Sequence, residues 1–133
     1  MLSYTIDQER RLVVSVAIDS FTTEDALDHL ERLKEDPSFQ PEFGSLLDLS
    51  GIENLNLGPQ DIRTLASLYP RSPYHVTSRR AVVAPTAHSY GMMRRLQQWR
   101  EAESGHATFQ VFRDRESALR WLLEAHSEDG DAG

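Results

Sequence analysis

Polar and apolar residues alternate weakly along Tyr4-Thr5-Ile6-Asp7 and firmly along residues 11–18, where three valines and Ile18 supply β-branched side chains at strand period. The charged stretch Gln8-Glu9-Arg10 between them predicts an antiparallel hairpin. The period then changes. Thr22-Thr23-Glu24-Asp25 places a hydroxyl cap and two acids where the positive end of a helix dipole would lie, and Ala26, Leu27, Leu30 and Leu33 follow at helical spacing until Asp36-Pro37. Phe39 and Phe43, in the connector beyond, are placed to pack against the domain edge.

The run Leu46-Leu47-Asp48-Leu49-Ser50-Gly51 is apolar until it breaks into an acidic, hydroxyl-bearing turn, as a buried strand does when it feeds a loop. Gly58-Pro59 sets proline in the first turn of a helix, where its missing amide hydrogen is harmless, and Ile62, Leu65, Ala66 and Tyr69 carry that helix to Pro70. Residues 71–77 hold a second proline and read as a surface loop. Arg80-Ala81-Val82-Val83-Ala84 is the next strand, stopped by Pro85. Thr86 caps a long helix to Glu103 with Tyr90, Met93, Leu96 and Trp99 or Arg100 at its repeat, and Met92, Met93 and Trp99 read as core. After a break at Gly105-His106, residues 108–112 form the last strand. Asp114 caps a helix with Ala118, Leu119, Leu122 and Leu123 on one face.

The element order is thus β-β-α-β-α-β-α-β-α. Strands that alternate with helices pair in parallel through right-handed crossovers. The expected fold is α/β, a mostly parallel five-stranded sheet of residues 11–18, 45–49, 80–84 and 108–112 with 3–7 antiparallel at the edge, and four helices. The second strand carries Leu12, Val14, Val16 and Ile18 on one face and Val13, Ser15 and Ala17 on the other. Doubly covered strands read as unbroken apolar runs. Helices are therefore expected to crowd one face of the sheet and leave the other partly open.

A chain of 133 residues suffices for one domain and one core, expected over residues 1–126, with an acidic, glycine-containing tail at 127–133 expected to be disordered. Cysteine is absent, which excludes disulfides, thiolate catalysis and cysteine-ligated metals. With 21 acids against 14 bases the net charge is −7, which disfavours phosphate-driven nucleic-acid binding. No apolar run approaches the ~20 residues of a membrane span and the first residues lack a signal core, so a cytoplasmic protein without membrane insertion is expected. The histidines, His29, His75, His88, His106 and His126, show no i, i+4 pairing, and the glycines form no phosphate-binding loop. Neither a metal nor a cofactor is expected.

The two-strand start, LLDLSGIENL before a helix, RRAVVAP before a long helix and FQVFRDRESALRWL at the end together resemble the STAS, or SpoIIAA-like, superfamily. Within it the chain is most similar to small stand-alone bacterial proteins related to lipid-binding CRAL-TRIO domains, over the stretch from Tyr4 to Leu123. The resemblance implies a right-handed β/α superhelix and non-enzymatic work, as in anti-sigma-factor antagonists, sensor modules and transporter tails that bind proteins and sometimes nucleotides or lipids. One departure bears on function. The antagonists carry Asp-Ser-Ser-Gly, with a phosphorylated serine, where this chain has Asn56, Leu57, Gly58 and Pro59. No hydroxyl stands there, so a charge switch of that kind is left only to positions such as Ser50 or Thr64.

Open α/β sheets hold partners at the carboxyl ends of their strands. That rule selects Asp48, Ser50, Asn54 and Asn56 after the third strand, and Thr86, His88 and Tyr90 after the fourth, where free helix amides can hold an anion. Each has a plainer role. Asp48 and Ser50 suit a turn, Thr86 a cap, Tyr90 packing and His88 a solvated first turn. A triad of Asp48, His88 and a serine lacks the Gly-x-Ser-x-Gly elbow that would support it. The resulting expectation is a non-enzymatic STAS-like interaction or regulatory module in bacterial signalling. It would have a protein partner and a homodimer formed through the weaker sheet face or the Met- and Trp-bearing helix. The alternative is a small-molecule or lipid-binding protein that holds a small apolar ligand in a pocket between sheet and helices.

Overall fold

The charged turn after the first strand closes on Asp7, whose Oδ1 accepts the Arg10 amide at 3.0 Å, and Arg11 enters the second strand through left-handed backbone at φ 57°. In this computed structural model the described residues are 1–68, 72–75, 77–104 and 108–132, excepting the side chains of 103, 104 and 125–132. The elements are β1 (Leu2–Asp7), β2 (Leu12–Ile18), α1 (Thr23–Glu35), β3 (Gly44–Gly51), α2 (Pro59–Leu68), β4 (Arg80–Val83), α3 (Ala87–Ser104), β5 (Phe109–Phe112) and α4 (Arg115–Ala132). The expected stop at Tyr69-Pro70, part of the 71–77 loop and the break at Gly105-His106 lie outside the described residues.

The sheet runs β1-β2-β3-β4-β5, antiparallel only between β1 and β2. This order dictates where the helices go. Parallel crossovers are right-handed, so an order that advances one strand at a time puts every crossover helix on the same face. Helices α1, α2 and α3 are those crossovers. Their Leu33, Ile62, Leu65, Met93 and Leu96 bury against that face, which presents Val13, Ala17, Leu49, Val82 and Val111. No strand follows α4, so it is free to cross to the other face, where Ala118 and Leu122 pack on Leu12, Leu46, Ala81 and Val83.

Three helices against one is the asymmetry expected, but the second face is open only in part. Helix α4 covers β3, β4 and β5, and beyond it Val14 and Val16 are half-buried while Ile18 is 46% exposed. The more apolar face of β2 is thus the less covered one. The face with Ser15 and Ala17 lies under the crossovers because small side chains let helices approach. A similar reversal occurs in α1. Leu27, read as part of the buried stripe, is exposed, and the inward positions are Ala26, His29, Leu30 and Leu33, the true i, i+3, i+4, i+7 set.

The caps follow the sequence. Thr22 closes a capping box with Asp25, and Asp114 accepts the Ser117 amide and hydroxyl, which hold its carboxyl below the ordinary range. Met93 is core, whereas Trp99 stays well exposed with the Arg63 guanidinium 5.6 Å over its ring. Helix α4 runs on to Ala132, so the stretch expected as a tail from residue 127 begins inside its bounds.

Candidate functional site

The seven residues selected at the strand ends fall into separate local structures. Asp48 points to the α4 face, where its Oδ1 accepts the Ser50 amide at 2.8 Å and its Oδ2 pairs with Arg115 Nη1 at 3.0 Å. The turn-forming role is thus realised, and an ion pair to α4 is added. Ser50, Asn54 and Asn56 are exposed. Thr86 caps α3, its Oγ1 accepting the Ser89 amide at 3.0 Å. His88 lies on the crossover side and bonds through Nε2 to the Leu55 carbonyl at 3.0 Å, while half-buried Tyr90 packs under Arg113. Asp48 and His88 therefore belong to opposite faces of the sheet, and the triad does not assemble.

Asp48 is only 8% exposed, so its partner matters. Replacing Arg115 by alanine is expected to cost about 1–2 kcal/mol, the lower range for a pair whose cation is half in solvent. Asp48→Asn in the same background should restore part of the loss. Urea midpoints of the two singles and the double measure it.

A concave site lies elsewhere, between the sheet and α1, α2 and α3. It is a partly open cavity of about 110 Å³, and none of the seven selected residues lines it. Its walls are mostly apolar, with Leu47 and Val82 from the sheet, Leu65 and Leu68 from α2, and Met93 and Leu96 from α3. Five polar residues also line it: Ser15, His29, Ser45, Tyr74 and Arg80. Strand parity explains three of them. Ser45 pairs with Arg80 across β3 and β4, and both share the crossover face with Leu47 and Val82, while Ser15 lies opposite Leu47 on β2. Ser45 and Arg80 stand at the amino ends of their strands, so the polar part of the cavity lies away from the carboxyl ends where the site was expected.

His29 comes from α1, with Nε2 3.2 Å from Ser15 Oγ and its ring edge-on to Tyr4 at 5.1 Å. Its Nδ1 is buried and makes no hydrogen bond. Burial, with a smaller push from Arg32, lowers its pKa from 6.5 to about 4, against the opposing pull of Asp28. The imidazole is therefore neutral at pH 7. Arg80 is 8% exposed, its guanidinium 5.0 Å over the Tyr74 ring and 3.4 Å from Ser72 Oγ. Period arithmetic could have found these residues: His29 falls on the α1 stripe, and Ser15, Ser45 and Arg80 on the inward parity of their strands. Tyr74 comes from a loop and left no such signal.

No family model and no curated protein matches the chain. Among solved structures it is similar to an uncharacterised DUF3478-family protein from Shewanella loihica PV-4, described as having a SpoIIAA-like fold. The two are 17% identical, the match covers 91% of this chain and 93% of that one, and the TM-score is 0.59. The fold is SpoIIAA-like. In this SpoIIAA-like frame, Gly58 and Pro59 open α2 where the resemblance placed the antagonists' serine. The Gly58 amide there donates to Asp61 Oδ2 at 2.8 Å, so a carboxylate already satisfies that end of the helix. Among the described residues no group of acids or histidines could hold a metal, and no helix is long and apolar enough to cross a membrane.

Proposed function

We propose that this protein is a binding module that takes a small, largely apolar molecule into the cavity between its sheet and crossover helices. The observation that carries the reading is the cavity itself. Protein interiors pack closely, and an apolar cavity of about 150 Å³ is enough to admit a benzene ring, so 110 Å³ lined mostly by aliphatic, aromatic and thioether side chains is space for a ligand of nearly that size. The polar residues at one end would orient what enters.

Binding is favoured over turnover by the state of the Ser15–His29 pair. A serine beside an imidazole can be a nucleophile with its base. Here the base is weakened to a pKa of about 4, and no carboxylate orients Nδ1 or stabilises an imidazolium. Ser15 also lies in mid-strand and is buried, without an exposed elbow.

Benzene titrated into labelled protein is the direct test. Expected are shifts at Leu65, Met93 and Leu96, and their loss in Ala26→Leu, which adds bulk to the cavity wall from α1. Unchanged spectra at saturating benzene would remove the cavity as a site. A second reading, a regulatory module that docks a protein partner, is supported by the strip of Val14, Val16 and exposed Ile18 left uncovered beside α4.

A further inference from the structure

We propose that this protein forms a homodimer through β1, whose free edge pairs antiparallel with the β1 of a second copy about a two-fold axis at Tyr4. The contact is a strand edge, neither the weaker sheet face nor the long helix that the sequence suggests, and it does not depend on what the cavity holds.

The backbone decides which groups the edge presents. Met1 and Ile18 exchange two hydrogen bonds, the Ile18 amide donating to the Met1 carbonyl at 2.9 Å and the Met1 nitrogen to the Ile18 carbonyl at 3.2 Å. Such pairs recur at every second residue of an antiparallel ladder, so Ser3, Thr5 and Asp7 turn their backbone groups toward Val16, Val14 and Leu12 on β2. Leu2, Tyr4 and Ile6 therefore turn theirs away from the sheet, and among the described residues nothing bonds those groups. Natural edges are blunted by lysine, proline, bulges or a covering element. β1 contains no lysine and no proline, and its pairing with β2 runs without a register shift. The opposite edge is closed: the outward amide of Val111 on β5 donates to Oε1 of buried Gln97 on α3 at 3.1 Å.

A second copy fits this edge better than an unrelated strand because the edge is complementary to itself. With Tyr4 opposite Tyr4, Leu2 meets Ile6, and every outward N–H and C=O finds a partner. Side chains directly opposite share a face. Leu2, Tyr4 and Ile6 thus match apolar and aromatic groups on the crossover side, where all three are half-buried, and exposed Ser3 meets Thr5 on the other. Charge agrees as well. The Tyr4 hydroxyl donates to Asp36 Oδ2 at 2.8 Å, and burial, with that carboxylate, raises its pKa against the opposing pull of Arg32. Asp36 and Arg32 both stand beside Tyr4, so an axis there brings a carboxylate and a guanidinium from each copy together, and each meets its opposite sign in the other. Because the β5 edge is closed, pairing through β1 stops at two copies.

Sedimentation velocity of the whole chain, from micromolar concentrations to about 200 μM, tests the assembly, and a concentration-dependent dimer is expected. Tyr4→Ala removes the side chain, and Tyr4→Pro removes it together with the outward amide, which the pairing of β1 with β2 does not use. The proline variant should dimerise about tenfold more weakly than the alanine variant. Cross-linking reads the register, since the chain has no cysteine of its own. Ser3→Cys and Thr5→Cys each change an exposed side chain, and an oxidised mixture of the two should link one variant to the other in preference to either with itself. A monomer at every concentration overturns the proposal, and so does a dimer of equal strength in the alanine and proline variants. Should Tyr4→Pro fail to fold, cross-linking decides alone: a dimer with no preference for the mixed disulfide overturns the β1 contact.

Discussion

Between pH 7 and pH 4.5 the wild-type protein is expected to lose roughly 2–3 kcal/mol more stability than His29→Gln, a loss traceable to a single buried imidazole. The pKa of His29 falls from 6.5 to about 4 on folding. The unfolded chain thus binds this proton first, and between those values stability rises with pH. The contribution is complete above pH 6.5, declines as pH falls, and is exhausted below about pH 4. Glutamine does not titrate and can still bond the Ser15 hydroxyl, so the carboxylates common to both proteins cancel in the comparison. Urea denaturation at half-unit intervals of pH provides the measurement. Parallel stability curves for the two proteins would show that His29 is solvated and that the α1 stripe has been misplaced.

The second large effect is expected from the last helix. Leu122 is fully buried between α4 and the sheet, and its neighbour Leu123 is exposed. Leu122→Ala should cost about 2–5 kcal/mol, the range for a leucine removed from a core that relaxes incompletely. Leu123→Ala should change stability by no more than about 0.5 kcal/mol. Denaturant midpoints of the two variants test the orientation of α4 directly. Equal effects would mean that the helix does not seal the second face of the sheet.

Most of the architecture was legible from local pattern. The period-two stretch ending at Ile18, the helical spacing from Ile62 to Leu65 and Ala66, and the caps at Thr22 and Asp114 each depend on residues within one or two turns of each other. The element order then implied parallel pairing, and handedness implied that successive crossovers share a face. The ligand-sized space was not legible in the same way. The residues chosen at the strand ends, Asp48 and His88 among them, were selected by a rule about where open sheets bind. In the folded chain they close turns, cap α3 or bond nearby carbonyls.

Sequence by itself determined the elements, their order and the one edge strand that runs antiparallel, because periodicity and capping are properties of neighbouring residues. Only the tertiary structure decided which face of β2 lies under the helices, that His29 rather than Leu27 turns inward, and that Ser15, Ser45, Tyr74 and Arg80 meet around one cavity. Those residues are brought together by strand register and helix placement across the whole domain. The balance of burial that selects a face or leaves a space is settled by all the packed elements at once.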